Sequence, residues 1–337
     1  SIEDLKGSIR VFCRLRPMSQ KEIEQGDRAV VHQLDTMTIE VERDSLRSFS
    51  RSRPDHEGNV EVTQFEYDSV FCPGSQEDSF EECRDLVQSA FDGYNITIFA
   101  YGQTGAGKTY TMLGTSADPG LTPNIVKEIF HIAREQCDRF EHRIKLSMVE
   151  LYRNELVDLL QLSSLTPAQS KRVAVRIDKE GTARIENVLE EECANEEELS
   201  ELIERGTLCR RTGSTAMNSE SSRSHLIKTI KIQTTNREMG QSFLGRILLV
   251  DLAGSERLRK SATTGEAQKE AIEINRSLTA IGDVIEALAQ GRTSIPYREH
   301  KLTQILQESL ARSAKTLMFV HCSPASSNLE ETLATLR

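Results

Sequence analysis

The sequence has no long apolar run, no charged leader followed by an apolar segment, and few residues that break regular structure. An apolar run of about 18 residues would be needed for a transmembrane helix, so we expect no membrane span and no membrane partner. We see no signal peptide either. With only 19 glycines and 8 prolines in 337 residues, a collagen-like chain is excluded and wholesale disorder is disfavoured. Because the chain begins with Ser1 rather than Met, we expect a fragment of a longer protein.

The patterns typical of disulfide and zinc sites are also missing. The seven cysteines are odd in number, scattered and never in a CxxC pair, which predicts reduced, mostly buried thiols of a cytoplasmic protein. The seven histidines show no metal-ligand spacing. The chain carries 42 basic and 52 acidic residues, a formal net charge of −10. Such a surface repels a polyanion unless basic residues cluster locally.

Apolar periodicity predicts an α/β fold, because strands and helices alternate along the chain. The predicted strands are 9–13, 95–100, 146–152, 173–177, 226–235, 246–251 and 316–321. The predicted helices are 75–92, 123–136, 195–205, 266–289 and 302–311. The apolar stripe of the helix over 266–289 fits packing on a sheet better than a coiled-coil seam, because its heptads are not sustained. No repeat or linker divides the chain, so one large domain is favoured over two.

The residues Gly102-Gln-Thr-Gly-Ala-Gly-Lys108-Thr109 match GxxxxGK[ST], the P-loop of nucleotide triphosphatases. Its glycines let backbone N–H groups surround phosphate oxygens, the lysine reaches the β- and γ-phosphates, and the threonine hydroxyl ligates Mg²⁺. An apolar strand precedes the motif and a helical stretch follows it, which is the expected context. The motif predicts triphosphate binding without indicating which triphosphate.

Two further segments are suited to sensing the γ-phosphate. The apolar strand that ends in Asp251 is followed by Gly254, so the acid could hold Mg²⁺ through water and the glycine N–H could meet the phosphate. The polar segment 218–225 supplies Ser222 as a possible Mg²⁺ ligand and Arg223 as a bidentate partner for Glu256. Without the P-loop, each segment would be interpreted as a plain turn or polar loop.

These motifs, together with Arg14-Leu-Arg-Pro17, Ile274-Asn-Arg-Ser-Leu278 and Ile295-Pro-Tyr-Arg298, resemble the kinesin motor head. The matches follow the family order over essentially the whole chain. The junction Leu5-Lys-Gly-Ser-Ile-Arg-Val-Phe-Cys-Arg14 resembles the kinesin-14 group, and Tyr297-Arg-Glu-His-Lys301 resembles its plant-type calmodulin-binding branch. The resemblance implies a single α/β P-loop head over residues 9–337, with a central, mostly parallel, eight-stranded sheet flanked by three helices on each side. It makes residues 1–8 the end of a neck, and Arg337 falls inside the last helix.

The resemblance also assigns site residues. The implied ATP-binding residues are Arg14, Arg16, Pro17, Gly102, Gln103, Thr104, Gly105, Ala106, Gly107, Lys108, Thr109 and Tyr110. The implied catalytic and switch residues are Ser221, Ser222, Arg223, Asp251, Gly254 and Glu256. Mg²⁺ is assigned to Thr109 and Ser222, with Asp251 acting through water. Arg223 and Glu256 would form a latch between the two switch segments, while Ser221 and Glu256 would relay the proton of the attacking water.

The implied partner is the acidic surface of the microtubule, although the chain is itself acidic. Residues 246–315 hold 11 basic and 9 acidic residues, so the rest of the chain carries −12 and this segment is the most suitable for an acidic track. The candidate contacts are Arg259, Lys260, Lys269, Arg298, Lys301, Arg312 and Lys315. No basic stripe is interleaved with aromatic residues, so nucleic acid is not an expected partner. We expect a cytoplasmic protein on microtubules, including those of the spindle, dimerised by an upstream coiled coil and open to calmodulin or another regulator beyond its C-terminal end.

Other functions fit less well. A GTPase would need a guanine-reading NKxD tetrapeptide, which the chain lacks, and a helicase would carry a DExx box where Asp251-Leu-Ala-Gly254 stands. The alternative from a different class is a microtubule-binding relative with little or no hydrolysis, which the intact motifs disfavour. The sequence therefore predicts a microtubule-stimulated ATPase motor whose movement is directed toward the minus end.

Overall fold

The computed structural model describes residues 9–44, 60–164, 170–177, 183–212, 222–256, 265–310 and 314–337. The helices in these ranges are α1 (Gln20–Glu24), α2 (Gln76–Phe91), α3 (Lys108–Leu113), α4 (Leu121–Glu135), α5 (Leu159–Ser164), α6 (Glu196–Thr212), α7 (Glu266–Ala289), α8 (Lys301–Ile305) and α9 (Leu329–Leu336). The predicted neck at 1–8 lies outside the described residues.

The strands in the same ranges are β1 (Ile9–Leu15), β2 (Val31–Gln33), β3 (Thr38–Asp44), β4 (Val60–Glu66), β5 (Ser69–Phe71), β6 (Asn95–Gly102), β7 (Phe140–Tyr152), β8 (Glu155–Asp158), β9 (Ala174–Ile177), β10 (Ala183–Glu186), β11 (Glu191–Cys193), β12 (His225–Asn236), β13 (Ser242–Asp251) and β14 (Lys315–Cys322). Each strand predicted from the sequence has a counterpart here.

The central sheet has the order β11-β7-β12-β13-β6-β14-β1-β5, with β8 paired to β7 beside this path. From β13 to β5 the neighbours run parallel, and β12, β7, β8 and β11 add an antiparallel part. The predicted α/β fold with a mostly parallel central sheet is confirmed. Within the described ranges, this central sheet contains one short strand, β8, beyond the eight expected. Because β6 and β13 are parallel, Gly102 and Asp251 both lie at the carboxyl edge, where α/β sheets bind ligands.

Helices cover both faces of this sheet. Apolar residues of α2, α4 and α6 form one cluster with the sheet, and those of α7, α8 and α9 pack on the opposite face. In α7, Leu278 and Ile281 are buried while Ile274, Ile285 and Leu288 pack against the same cluster. The apolar stripe of α7 is therefore a sheet-packing face, as predicted, and α3 and α5 also contribute Met112, Leu159 and Leu160 to the first cluster.

Local hydrogen bonds mark the start of α2 and the end of α8. At the start of α2, the Ser75 hydroxyl accepts from the Asp78 N–H (2.9 Å) and the Asp78 carboxylate accepts from the Ser75 N–H (2.8 Å), which is the predicted capping box. The helix predicted over 302–311 is wrong in length, since α8 ends at Ile305. Beyond it, the Gln307 N–H donates to the Gln304 carbonyl (3.2 Å), a three-residue turn that interrupts the helix, and the Leu310 N–H then donates to the Leu306 carbonyl (2.9 Å) in a single four-residue turn.

A buried carboxylate ties the first helix to the end of the chain. Glu22 of α1 is 7% exposed and accepts from Arg16 through both oxygens, at 2.5 and 2.7 Å. Its Oε1 also accepts from the Ser323 hydroxyl (3.1 Å) and the Asn328 amide (2.9 Å), which precede α9. Donation from Arg16 lowers the pKa of Glu22 to about 2. The ionised Glu22 therefore stabilises the packing of α1 against the β14–α9 connection.

Replacing Glu22 by Gln is expected to lower the free energy of unfolding at neutral pH by about 2 kcal/mol, because Arg16 loses its anionic partner. The pKa of Glu22 falls from 4.5 to about 2 on folding. Its contribution is therefore complete above the unfolded value and is lost as the pH falls toward the folded one. Urea unfolding should show the difference between wild type and Glu22→Gln narrowing from neutral pH to about pH 3.

Glu24→Gln is the matched control, because Glu24 lies in the same helix but is exposed. It should change stability by less than about 0.5 kcal/mol at either pH. A difference between wild type and Glu22→Gln that stays constant with pH would contradict this account.

Candidate active site

The P-loop links the last residue of β6 to the first residue of α3. Gly102 has φ +141°, and a Cβ there would lie 2.3 Å from the carbonyl oxygen of His321 in β14. Gly107, at φ +108°, is the N-cap residue that precedes α3. Both positions require glycine, because a side chain would meet either the neighbouring strand or a strained backbone. The motif therefore folds as the tight phosphate-type loop that the sequence predicts.

Lys108 lies beneath the loop. It is 6% exposed, and its Nζ donates to the carbonyl oxygens of Gly102 (2.8 Å) and Gln103 (3.0 Å). Burial lowers the pKa of Lys108, while the carboxylates of Asp251 and Glu256 act in the opposite direction. The loop carbonyls thus hold a positive charge at the floor of the site.

The predicted Mg²⁺ ligands meet on the other side of this loop. The Thr109 hydroxyl donates to Asp251 Oδ2 (3.0 Å), and Asp251 Oδ1 is buried with no hydrogen-bond partner among the described residues. Ser222 lines the same cavity of about 200 Å³ as Thr109 and the loop glycines Gly105 and Gly107. A buried carboxylate oxygen without a partner, on a carboxylate that the Thr109 hydroxyl contacts, is an oxygen donor set suited to Mg²⁺. The residues present therefore fit the metal that the resemblance implies.

The segment after β13 contacts the P-loop directly. The Gly254 N–H donates to the Ser222 carbonyl (2.9 Å), so in this structure it joins the two switch segments to each other. Glu256 accepts from the Thr104 N–H (2.8 Å) and the Thr104 hydroxyl (2.5 Å). A Cβ on Gly254 would lie 2.2 Å from Glu256 Oε2, so the glycine leaves room for this carboxylate.

The latch predicted between Arg223 and Glu256 is not formed in this structure. Arg223 Nη1 instead pairs with Glu270 Oε2 of α7 at 2.5 Å. The Tyr152 hydroxyl donates to the other oxygen of Glu270 (2.7 Å), so the Glu270 carboxylate, 6% exposed, is held in place. The predicted pair is absent because each member has a different partner: Glu256 binds the P-loop and Arg223 binds α7.

The residues predicted to line the adenine differ in their exposure. Arg14 is 6% exposed and its guanidinium donates inward, to Gln76 (2.7 Å) and Thr111 (2.9 Å) among others, so direct contact with a nucleotide is not supported. Its charge lies 5.6 Å from the centre of the Tyr110 ring, which is 45% exposed and whose hydroxyl donates to Asp118. Arg14 therefore supports the ring of Tyr110 from below. Pro17 is exposed near this edge.

Arg16, also predicted as an ATP-binding residue, bridges the P-loop and α1. Its Nε donates to the Gly105 carbonyl (2.8 Å), while its other nitrogens bind Glu22. Arg16 fixes the outer turn of the loop through its own hydrogen bonds.

His225 connects both switch segments to α7. Its Nδ1 accepts from the Ala253 N–H (3.1 Å), which makes Nε2 the protonated nitrogen that contacts the Ser277 hydroxyl (2.7 Å). Ser277 donates in turn to the Ile274 carbonyl (2.6 Å). Burial lowers the pKa of His225 to about 3, so the ring is neutral at physiological pH.

Sequence reasoning missed a buried ionic group behind the P-loop. Arg210 of α6 bonds to Glu150 of β7 (3.1 Å) and lies 3.9 Å from Asp251. The one signal was Glu150 itself, a carboxylate inside the apolar segment predicted as a strand over 146–152, which requires a buried cationic partner. The sequence does not indicate that this partner is Arg210.

Ser221, predicted as a catalytic residue, lies outside the described residues.

The basic residues predicted to contact the microtubule fall into three groups. Three of them lie outside the described residues: Arg259, Lys260 and Arg312. Lys269 and Arg298 are exposed, and the half-buried Lys301 donates to the Asn154 carbonyl (2.5 Å). Lys315 donates to Ser89 of α2 and lies 5.3 Å from the Tyr94 ring centre. Lys315 therefore lies on the face covered by α2, opposite α7, because side chains alternate between the two faces along β14.

No helix in the described ranges is both long and apolar enough to cross a membrane.

Comparison with known proteins agrees with the motifs. The kinesin motor domain family matches residues 14–337. The kinesin-like protein KIN-14E of Arabidopsis thaliana is 45% identical over 338 residues, covering 100% of this chain and 25% of that relative. This chain thus spans a quarter of that protein's length.

Two solved structures are similar to this fold. The first, described as a fast kinesin, has a TM-score of 0.85 and 38% identity, covering 98% of this chain and 89% of the other. The second, the C-terminal motor and motor homology domain of Kar3Vik1 fused to a synthetic heterodimeric coiled coil, has a TM-score of 0.83 and 35% identity, covering 100% and 85%. The family match over residues 14–337, together with the P-loop and the sheet that carries it, shows that this chain belongs to the kinesin motor domain family, with relatives in the kinesin-14 group.

Proposed function

We propose that this chain binds Mg²⁺-ATP at the P-loop and couples its hydrolysis to minus-end-directed movement along microtubules. The observation that carries this proposal is the pairing of Thr109 with Asp251 at the carboxyl edge of β6 and β13. It combines a magnesium-type donor set with a phosphate loop. The switch segments around it are bonded to α7, on the face that carries the exposed Lys269 and Arg298.

The P-loop residues 102–109 bind the phosphates through backbone N–H groups, and Lys108 supplies positive charge beneath them. A bound Mg²⁺ would supply positive charge that offsets the negative charge developing on the phosphates during hydrolysis. Thr109 and Ser222 would hold it directly and Asp251 through water. Tyr110, supported by Arg14, offers its exposed ring to the base together with Pro17.

Hydrolysis requires a rearrangement of the switch carboxylates. The Thr104 N–H that Glu256 occupies is a P-loop donor, so a phosphate that takes this donor displaces Glu256. The freed carboxylate can then compete with Glu270 for Arg223 and form the latch. With the latch closed, Gly254 would meet the γ-phosphate, and Ser221 and Glu256 would relay the proton of the attacking water. Positioning and electrostatics dominate such a reaction.

The same exchange provides the link to the track. Glu270 lies in α7, next to the exposed Lys269, so loss of the Arg223 bond releases the first turns of this helix. Lys269, Arg298 and Lys301, together with Arg259, Lys260 and Arg312, are the proposed contacts with the acidic microtubule surface. The kinesin-14 relatives support minus-end direction, dimerisation through an upstream coiled coil, possible regulation by calmodulin, and a location on cytoplasmic or spindle microtubules.

The direct test is phosphate release from ATP and from GTP, with and without microtubules. Wild type should hydrolyse ATP slowly alone and much faster with microtubules. Lys108→Ala should lose more than about 100-fold of this activity while remaining folded by circular dichroism, because it removes the positive charge at the phosphates. Wild type that binds microtubules without any release would favour the alternative of a non-hydrolysing relative. Full activity in Lys108→Ala would contradict the site.

Charge reversal at Arg298 tests the track surface. Arg298→Glu should weaken microtubule affinity in co-sedimentation at low salt, because an exposed cation facing an acidic surface becomes an anion. The ATPase rate without microtubules should stay within about two-fold, since a surface change of this kind leaves the distant site intact.

The matched control is Arg134→Glu at the exposed end of α4, on the opposite face of the sheet. It should bind microtubules as wild type does. Equal losses of affinity in Arg298→Glu and Arg134→Glu would indicate a general charge effect and contradict a local contact.

Direction is tested by gliding. The full-length protein, immobilised on a surface, should move polarity-marked microtubules with their plus ends leading, because minus-end-directed motors push the filament that way. Gliding with minus ends leading would contradict the kinesin-14 direction while leaving the ATPase proposal intact.

A further inference from the structure

A histidine that takes no part in the proposed hydrolysis is buried directly beneath the P-loop. His321 of β14 is 1% exposed. Its ring lies next to the loop, since a Cβ on Gly107 would be 3.9 Å from His321 Cδ2. Buried polar groups are nearly always hydrogen-bonded. The partners of the two ring nitrogens therefore show which parts of the site this histidine connects.

The two nitrogens of His321 bind two different elements. Nδ1 lies 3.2 Å from the carbonyl oxygen of Tyr101 in β6, and Nε2 lies 2.7 Å from the hydroxyl oxygen of Thr111 in α3. A carbonyl oxygen only accepts, so Nδ1 carries the hydrogen. Burial lowers the pKa of His321 to about 3, so the ring is neutral at physiological pH and has a single N–H. Nε2 therefore accepts from the Thr111 hydroxyl.

Thr111 connects the ring to the support of the base. Its hydroxyl oxygen also accepts from Arg14 Nη1 (2.9 Å), so donation runs from Arg14 through Thr111 to His321. The Arg14 guanidinium lies 5.6 Å from the centre of the Tyr110 ring, which is proposed to meet the base. Gln76 accepts from Arg14 (2.7 Å) and donates to the Tyr110 carbonyl (2.7 Å). The adenine end of the site is therefore held through Arg14 and Thr111.

Tyr101 connects the same ring to the phosphate end. Its carbonyl carbon is bonded to the nitrogen of Gly102, the first residue of the P-loop. The Gly102 carbonyl in turn accepts from Lys108 Nζ (2.8 Å). His321 thus holds β6 at the peptide that precedes the one bonded to Lys108. One ring lies between the support of the base and the strand that positions the lysine.

We propose that His321 is a positioning residue that couples the two ends of the nucleotide site: by accepting from Thr111 and donating to Tyr101, it fixes the support of the base relative to the P-loop. This inference rests on the proposed function, because it concerns the binding of ATP at the same site. A nucleotide that contacts both ends gains affinity from their fixed spacing, since its binding then has less of the protein to order. A ligand that contacts the phosphate end alone does not.

Two amide side chains separate the two contacts of His321. Counted in bonds from the backbone, an asparagine amide lies where Nδ1 lies, and a glutamine amide lies where Nε2 lies. His321→Asn can therefore still donate to Tyr101, but it leaves the Thr111 hydroxyl without its acceptor. His321→Gln restores an acceptor for Thr111, because its amide oxygen reaches the position of Nε2. The two variants differ by one methylene and distinguish the contact with Thr111 from the polarity of the side chain.

The test measures microtubule-stimulated formation of ADP from ATP, with inorganic tripolyphosphate as a competitor that has no base. His321→Asn should raise the KM for ATP about 10-fold and leave kcat within about 2-fold, because one buried hydrogen bond that supports binding is lost. The inhibition constant of tripolyphosphate should stay within about 2-fold, because this ligand does not reach Tyr110. His321→Gln should return the KM for ATP to within about 3-fold of wild type.

Thr316→Val is the matched control. Thr316 lies in the same strand and is buried, and its hydroxyl donates to the Ser309 carbonyl (2.9 Å) at the end of β14 away from the P-loop. This variant should keep the wild-type KM for ATP and the wild-type inhibition by tripolyphosphate, even where it lowers stability. Thr111→Val is a second test variant. It removes the other partner of the contact and should repeat the base-dependent loss of His321→Asn.

The outcomes are distinct. A higher KM for ATP in His321→Asn, without a matching change for tripolyphosphate and with recovery in His321→Gln, supports the inference. An unchanged KM for ATP, or equal losses for both ligands, would reduce His321 to a structural role and overturn it. If His321→Asn does not fold, either of these results in Thr111→Val overturns it instead.

Two further results would contradict the inference in different ways. Equal impairment of His321→Asn and His321→Gln would show that the contact with Thr111 does not carry the coupling. Wild type that neither hydrolyses ATP nor responds to tripolyphosphate would overturn the proposed function and this inference with it.

Discussion

The close approach of three backbone segments at Gly102 is the constraint on which the site depends. The residue ends β6 with its Cα so near the His321 carbonyl of β14 that no side chain fits. Its own carbonyl accepts from Lys108 Nζ (2.8 Å) and from the Ser255 N–H (3.1 Å). One peptide group therefore positions Lys108, the second switch segment and the neighbouring strand. A larger residue would separate all three.

The charged side chains around Gly102 come from several different elements of the fold. Lys108 and Arg210 bring positive charge to the base of the site, and Asp251, Glu150 and Glu256 bring negative charge, each on a separate element. Because most of these groups are buried, their interactions are weakly screened and strongly dependent on geometry. Loop carbonyls and hydroxyls complete the hydrogen bonding of the lysine and the arginine. The fold can therefore keep charged groups beside a phosphate loop without pairing every cation directly with one carboxylate.

Much of this was predictable from the sequence, because short motifs encode local geometry. The spacing of residues 102–109 predicted the loop, and the strand ending in Asp251 predicted the acid beside Thr109. The stripe of α7 predicted a helix packed on the sheet. What the motifs could not predict is which of several nearby partners a long side chain selects. Arg223 pairs with Glu270, 47 residues away in the sequence, and Arg210 pairs with Glu150, 60 residues away. The face that Lys315 occupies likewise depends on how the sheet is covered, which periodicity alone does not determine.

The ion pair between Arg223 and Glu270 connects a switch segment to α7. Glu256 and Glu270 are two carboxylates within the reach of one guanidinium in the proposed cycle, and Tyr152 holds Glu270 in place through its other oxygen. An arginine that must leave one carboxylate before it binds the other favours two discrete arrangements over a continuous range. The neutral His225 adds a second bond from the switch segments to α7, through Ser277, that does not depend on Arg223. In the proposed cycle, release of Glu270 would free the first turns of α7, while Ser277 would keep the middle of the helix fixed to the site. A helix held at its middle and freed at one end can pivot, which is a motion suited to carrying a phosphate-dependent change to the surface that bears Lys269 and Arg298.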